Sequence, residues 1–406
     1  MYKLFAKYLM SGPRRTCLLR GLILFLTVAL LLLPVGAAGD LVAVPYGSTS
    51  TATQPELDLA CRSAVLMEAS TGEILYAQNP DEAMPPASVT KIMTLLLIME
   101  AMDRGELSWD TPVTASAHAA SMGGSQIYLK EGETMSAKDL IKSVVIASAN
   151  DAAVAMAEQV AGSEQAFVDR MNERAKALGM TSTHFENTNG LDDTAQNHVT
   201  SAKDIAIMSR ALIAYPDILV FSSTWMDTIR DGAFGLTNTN RLVRFYRGCN
   251  GLKTGSTSKA GFCVSATAER DGMTLIAVIM GAESRDVRNA AASSLLDWGF
   301  ATYGLYKSPA GMPDPLYVRG GKTQTVRLQY PAFTAVLPKG DVASVEMAVT
   351  LPDALTAPIY AGEAVGKVSY TCRGKTVGEV AVLTAEDSER VNFWWLWRKI
   401  LGCMVS

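Results

Sequence analysis

The sequence predicts an α/β domain with a helical middle, then a small all-β sandwich, then an amphipathic C-terminal helix. Three observations carry this. Strand-like runs near residues 63–78 and 252–280 bracket a stretch of helical apolar period, so both ends of that stretch complete one sheet. From Leu316 to Leu383, short β-branched runs such as Thr325–Tyr330 and Ala343–Leu351 alternate with Gly and Pro turns, and helical signals are nearly absent. Beyond Val391, Trp394, Trp395 and Trp397 crowd into one short segment.

The length of 406 residues and 49% hydrophobic content suit two or three domains with a sizeable buried core. Disorder, collagen-like repeats and a polytopic membrane protein are excluded. Up to Ala38 the chain holds Lys3, Lys7, Arg14, Arg15 and Arg20 and no acidic residue; the remainder has 31 basic and 40 acidic side chains, a formal charge of −9. A long-range grip on nucleic acid is excluded on that balance, because phosphate binding needs a basic surface.

In chain order, the basic region ending at Arg20 and the apolar run Gly21–Leu33 read as an export signal. Pro34 breaks the run, and the small residues Val35–Ala38 offer a cleavage site; an uncleaved anchor is the alternative. Asp40 to about Leu59 is a linker rich in Ser, Thr and Pro. Ser63–Glu68 and Glu73–Gln78 are expected strands around the turn Ala69–Gly72. Ser88–Met102, apolar on nearly every side, is an expected buried helix. Helical patterns recur at Ala137–Ala161, Glu164–Leu178 and Ser201–Ile213. Leu252–Thr257, Gly261–Ala268 and Thr274–Met280 read as strands, and Val287–Trp298 as a last helix ended by Gly299. Composition changes again around Ser308–Pro315.

In the final helix Phe393, Trp397, Ile400 and Met404 share one face. It is too short to span a bilayer and suits the headgroup region, with docking on the protein's own core as the alternative. Outside the signal, Cys61, Cys249, Cys263, Cys372 and Cys403 are too scattered for a disulfide framework, although Cys249 and Cys263 could pair across a hairpin or remain single buried thiols. With only His118, His184 and His198 and no Cys cluster, ligands for a zinc site are scarce.

Three short motifs bear chemistry. In Ser88-Val89-Thr90-Lys91, positions i and i+3 of a helix bring the Lys91 amine to the Ser88 hydroxyl, a nucleophile once a base takes its proton. Ser148-Ala149-Asn150 interrupts a helical pattern. Lys253-Thr254-Gly255 lies on a strand, where a glycine lets another backbone approach. Each alone is weak, and Ser256-Thr257-Ser258-Lys259 also satisfies the first pattern. Together and in this order they match the signature of serine β-lactamases and penicillin-binding proteins.

On these motifs the chain resembles the low-molecular-mass penicillin-binding proteins, the serine-type D-alanyl-D-alanine carboxypeptidases. The likeness extends through Pro86–Thr94, Asn189-Gly190-Leu191 with His198, Thr200 and Asp204, Asn238-Thr239-Asn240, Gly251–Thr257 and Gly281-Ala282 with Arg288. Asn250 departs from it, an acidic residue being usual there. The resemblance implies a β-lactamase/transpeptidase-like fold, an antiparallel sheet with a helical subdomain. The expected organisation is a signal peptide at 1–38, a linker at 39–59, the carboxypeptidase domain at 60–305, a β-sandwich at 312–388 and a membrane-anchor helix at 390–406. The activity implied is removal of the terminal D-alanine of peptidoglycan pentapeptide stems, with penicillin binding. Ser88 would be the nucleophile, Lys91 its base and Ser148 the proton relay. Asn150, Lys253, Thr254, Gly255, Ser256 and Arg288 would bind substrate, with Ser88 and Ser256 amides as the oxyanion hole. No metal or organic cofactor is implied. The expected partners are stem peptides, β-lactams and, through the last helix, a membrane, with no nucleic acid, and the expected location is the outer face of the cytoplasmic membrane or the cell wall space.

The alternatives are a serine β-lactamase, for which Glu186 would have to activate the deacylating water, and a non-catalytic penicillin-binding sensor or scaffold. His198 reads as a structural loop residue, and Arg241, Arg244 and Arg247 as a solvated strand face, with an anion site as the alternative.

Overall fold

The computed structural model describes residues 57–192 and 195–405. The expected signal peptide and nearly all of the expected linker lie outside the described residues. The main sheet has the order Ile74–Gln78, Ser63–Glu68, Met273–Ala282, Gly261–Arg270, Cys249–Thr257, with every pair antiparallel. Both ends of the segment therefore complete one sheet, as the sequence predicts, and the strand bearing Lys253-Thr254-Gly255 is at its edge.

The sheet is covered on both faces, which is why its strands read as nearly continuous apolar runs. Val65, Met67, Ile276, Val278 and Met280 face the helical subdomain. The alternate residues Ala64, Leu66, Leu275, Ala277 and Ile279 face Ala292, Leu295 and Leu296 of the Arg285–Thr302 helix. That helix passes Gly299, where the sequence expects it to stop. The glycine serves close approach instead: a Cβ there would stand 2.6 Å from Leu66 Cδ2 and 2.7 Å from Leu275 Cδ1.

The expected buried helix begins as a 3₁₀ turn, Ala87–Thr90, and continues as an α-helix, Lys91–Asp103, buried from Lys91 to Met99. The expected stretch Ala137–Ala161 divides into helices Ala137–Ile146 and Asn150–Ala161. Ser136, Ser163, Ser201 and Ser284 cap four of the helices, each accepting the amide three residues on. Several short elements carry no readable period: helices Pro216–Ser222 and Leu242–Phe245, and the ladders Pro112–Thr114 with Thr134–Ser136 and Met226–Ile229 with Phe234–Thr237.

Tyr303–Ser308 leads out of the first domain and pairs with Phe333–Pro338 of the second. The β domain packs a four-stranded and a three-stranded sheet around Val318, Val326, Leu328, Val368 and Val382. Phe333 stacks on the buried ring of Tyr370 with centroids 4.2 Å apart. The expected run Thr325–Tyr330 splits at Arg327 into Thr325–Val326 and Leu328–Gln329, which join different sheets.

Phe393–Val405 forms the expected terminal helix. Its Phe393, Trp394, Trp397, Ile400 and Met404 are exposed, so docking on the protein's own core is not what is observed. No single helix among the described residues is long and apolar enough to cross a membrane. The five described cysteines are unpaired. Cys249 stands opposite Ala268 and Cys263 opposite Gly255, so the register keeps these two apart.

Candidate active site

Three elements deliver the three motifs to one cleft. In a 3₁₀ turn side chains at i and i+3 eclipse, and the turn at Ala87–Thr90 stacks Ser88 over Lys91, with Oγ and Nζ 2.9 Å apart. Lys91 Nζ also donates to Asn150 Oδ1 at 2.6 Å and to the Asn189 carbonyl at 2.7 Å. A neutral amine has two N–H bonds and one lone pair. With both N–H groups held by Asn150 and Asn189, the lone pair is left for the Ser88 hydroxyl.

Ser148 and Asn150 come from the break between two helices. Ser148 has φ +61°, a left-handed conformation that a non-glycine residue adopts only when its surroundings hold it there. Asn150 opens the next helix, its side-chain Nδ2 donating to the Gly123 carbonyl at 2.7 Å. Next to it the buried Asp151 carboxylate accepts the amides of Ile127, Leu129 and Ala152, tying the 123–129 loop to the helix start.

Lys253 reaches from the edge strand to the same break, donating to Ser148 Oγ at 2.8 Å and to the Thr254 carbonyl at 2.9 Å. Thr254 Oγ1 donates to Thr239 Oγ1 at 2.8 Å. Gly255 lets the strand lie directly on the 3₁₀ turn: a Cβ there would be 2.8 Å from the Ser88 nitrogen.

Burial of both lysine side chains disfavours their charged forms. Lys91 is held well below the ordinary lysine range by desolvation first and by Lys253 second, against a smaller opposing pull from Asp151. Lys253 is pushed down to about 7 by desolvation and then by Arg288. The arrangement therefore supplies an uncharged amine beside a hydroxyl, in a field kept positive by a second lysine and an arginine, as nucleophilic catalysis by serine requires.

The cleft has a volume of about 650 Å³, and Ser88, Ser148, Thr254, Gly255, Ser256 and Arg288 all line it. Lys91, Asn150 and Lys253 sit behind these residues, each at most 1% exposed. All nine predicted site residues thus meet in one place. Arg288 is buried, its guanidinium against the Cys263 carbonyl and Asn289 Oδ1.

One expectation is corrected. Arg241 and Arg244 are not on a strand: Arg241 precedes and Arg244 belongs to the short helix Leu242–Phe245, and both line the cleft with Arg285. Their i,i+3 spacing was the available signal. Asn189 and Thr239 were read only as parts of resembling segments; the structure gives the Asn189 carbonyl to Lys91 and the Thr239 hydroxyl to Thr254.

Among the described residues, no Asp or Glu lines the cleft. Glu186 spends its carboxylate on the Gln196 and Asn197 amides. His198 is structural, as expected. Its Nδ1 accepts the Glu186 amide, so its proton is on Nε2, 2.7 Å from Thr90 Oγ1, and Thr90 in turn donates to the Ala87 carbonyl beneath Ser88.

Comparison with known proteins agrees with this geometry. A D-alanyl-D-alanine carboxypeptidase family profile matches residues 48–284, and a profile of the C-terminal domain of penicillin-binding protein 5 matches 313–390. The chain is 41% identical to D-alanyl-D-alanine carboxypeptidase DacF of Bacillus subtilis, covering 86% of this chain and 90% of that protein. It is 32% identical to DacC of Escherichia coli, over 86% and 88% of the two chains. Among solved structures it is similar to penicillin-binding protein 5 from Haemophilus influenzae, with 30% identity and a TM-score of 0.73 over 82% of this chain and 99% of that one. The ampicillin-bound form of penicillin-binding protein D2 from Listeria monocytogenes is 36% identical with a TM-score of 0.56, over 61% of this chain and all of that one.

Proposed function

Because the chain belongs to the D-alanyl-D-alanine carboxypeptidase family, whose members work through a serine acyl-enzyme, we propose that Ser88 is the residue acylated and that Lys91 is its base. The chain is a penicillin-binding serine peptidase of the hydrolase class. In the reading advanced here, Ser88 Oγ attacks the carbonyl carbon of the penultimate D-alanine while its proton passes to the Lys91 lone pair. The carbon–nitrogen bond then breaks, and Ser148 relays that proton from Lys91 to the departing D-alanine amine, which leaves both Lys91 and Ser148 as they began. Water hydrolyses the resulting ester and restores Ser88. Ser88 and Ser256 amides stabilise the oxyanion, each donor contributing about 3 kcal/mol. Lys253 holds Ser148 and keeps Lys91 uncharged; Thr254 and Arg288 take the terminal carboxylate.

The observation that carries this reading is the pair of contacts Lys91–Ser88 and Lys253–Ser148 on one cleft. The contacts of Glu186 favour a carboxypeptidase over a β-lactamase, since this carboxylate, the one a lactamase reading would use, is bound to the Gln196 and Asn197 amides. The domain limits 60–305 and 312–388, export through residues 1–38, action on wall stem peptides and membrane contact through the 390–406 helix belong to the same proposal. The exposed tryptophans of that helix support the last of these.

The test is to mix the purified protein with a fluorescent penicillin, then with a peptide ending in D-Ala-D-Ala. Slowly decaying label on Ser88, absent from S88A, together with D-alanine release is expected. Rapid penicillin turnover without D-alanine release would overturn the reading in favour of a lactamase. No reaction with either would overturn it in favour of a sensor.

A further inference from the structure

The cleft holds more positive charge than one terminal carboxylate needs. Besides Arg288 it is lined by Arg241, Arg244 and Arg285, and none of the four makes an ion pair among the described residues. This happens in a chain whose overall balance is acidic. Arg244 is held in place: its guanidinium lies 5.5 Å from the Trp225 ring and 5.7 Å from the Phe245 ring, both of which line the same cleft.

The position of Arg241 and Arg244 along the cleft is fixed by the segment that carries them. Thr239 bonds Thr254 through its hydroxyl and the Ile146 carbonyl through its amide, and Asn240 Nδ2 donates to the Gly251 carbonyl. The segment therefore spans from just before Ser148 to the early part of the motif strand. Ser88 lies further along, against Gly255. The arginines are thus on the side of the scissile bond where Ser148 meets the leaving amine.

We propose that Arg241 and Arg244 form a leaving-group subsite for a D-amino acid that carries a second carboxylate on its side chain. The inference rests on the carboxypeptidase reading of the same site. The chemistry is unchanged: Ser88 Oγ bonds to the acyl carbon, the bond to the acidic residue's nitrogen breaks, that amine takes the proton from Ser148, and water cleaves the ester. Arg288 and Thr254 hold the leaving group's own α-carboxylate, while Arg241 and Arg244 meet the second one.

The test compares the full-length protein on three peptides with a common acyl part, ending in D-Ala-D-Ala, D-Ala-D-Glu or D-Ala-D-Gln, by release of the last amino acid. D-Glu and D-Gln match in size, so their ratio of kcat/KM isolates the charge. We expect D-Glu to lead by about tenfold at low salt, the scale of one charge-assisted pair, and the lead to shrink as salt screens the exposed guanidiniums. In R241Q/R244Q the ratio should fall toward one. Equal or faster release of D-Gln by the wild type overturns the inference, as does a lead insensitive to salt or retained in R241Q/R244Q. Penicillin labelling reports whether that variant keeps its pocket, and the salt series on the wild type decides the matter without it. Failure on D-Ala-D-Ala itself would instead remove the carboxypeptidase reading.

Discussion

Gly255 provides a sharp test of how the motif strand sets the nucleophile. A methyl added there would stand 2.8 Å from the Ser88 nitrogen, 2.9 Å from the Pro86 oxygen and 2.9 Å from the Val89 nitrogen, all backbone atoms that cannot rotate away. Ordinary contact begins near 3.4 Å, so in G255A the strand and the 3₁₀ turn must part by about 0.6 Å. Misplacing a reacting group by 1 Å costs about 10²-fold in rate, and losing one oxyanion donor entirely costs about 10²–10³-fold. The displacement moves Ser88 Oγ and the Ser88 amide together, so acylation should slow by about 10- to 100-fold. Overpacking of this kind also costs about 1–3 kcal/mol, a fall of several degrees in Tm. The assay is the rate of labelling by a fluorescent penicillin, beside a thermal melt. Gly340, where a Cβ meets nothing within 4 Å, is the control, and G340A should label at the wild-type rate. Labelling of G255A within about twofold of wild type would refute the claim that strand-to-turn spacing sets the reactive geometry.

Further outcomes follow from the buried charges and from the tail. Rate against pH should be bell-shaped: it rises as Lys91 loses its proton and falls as Lys253, poised at about 7, loses its own. Since Arg288 depresses Lys253, R288Q should move the alkaline limb to higher pH as well as lowering the rate, which a pH series of penicillin acylation would read. His198 is held neutral by burial, down to about 4. An unfolded chain binds that proton near pH 6.5, so stability is lost as pH falls from about 6.5 to about 4, by on the order of 3 kcal/mol. Denaturant melts of H198Q should therefore depend less on pH in that window. Deleting residues 392–406 should leave D-alanine release intact and free the protein from vesicles; a truncated protein that still binds them would remove the anchor role of the helix.

How far the site was legible depends on the range over which each contact is set. Ser88 and Lys91 are three positions apart on one turn, so the chain states their proximity directly. The main sheet was legible because burial on both faces leaves uninterrupted apolar runs. Gly299 misled because a glycine serves equally as a stop and as a point of close packing, and Leu66 and Leu275, far off in sequence, decide between the two. Arg241 and Arg244 were missed for a related reason: four residues of helix are too few to show a period, and polar spacing alone reads as a solvated face. The Asn189 carbonyl left no trace at all, since a backbone acceptor has no side-chain identity to read. The separation of Cys249 from Cys263 depends on the hairpin register, which sets Cys249 opposite Ala268 and Cys263 opposite Gly255.

These long-range contacts also explain why the two lysines are not interchangeable. Both are buried, and burial alone would neutralise both. Lys91 has carbonyl oxygens for both N–H groups of its neutral amine, which leaves a lone pair aimed at a hydroxyl. Lys253 faces a carbonyl and the Ser148 hydroxyl, acceptors that also favour its protonated form. Difference in role therefore comes from what each amine is bonded to rather than from depth. An N150A variant, which removes the 2.6 Å acceptor from Lys91, tests this directly. It frees one N–H of Lys91 to turn toward Ser88, so the lone pair is no longer directed and acylation should slow by about 10²-fold, the low end of what positioned general-base catalysis contributes. An unchanged acylation rate in N150A would mean that desolvation by itself prepares the base.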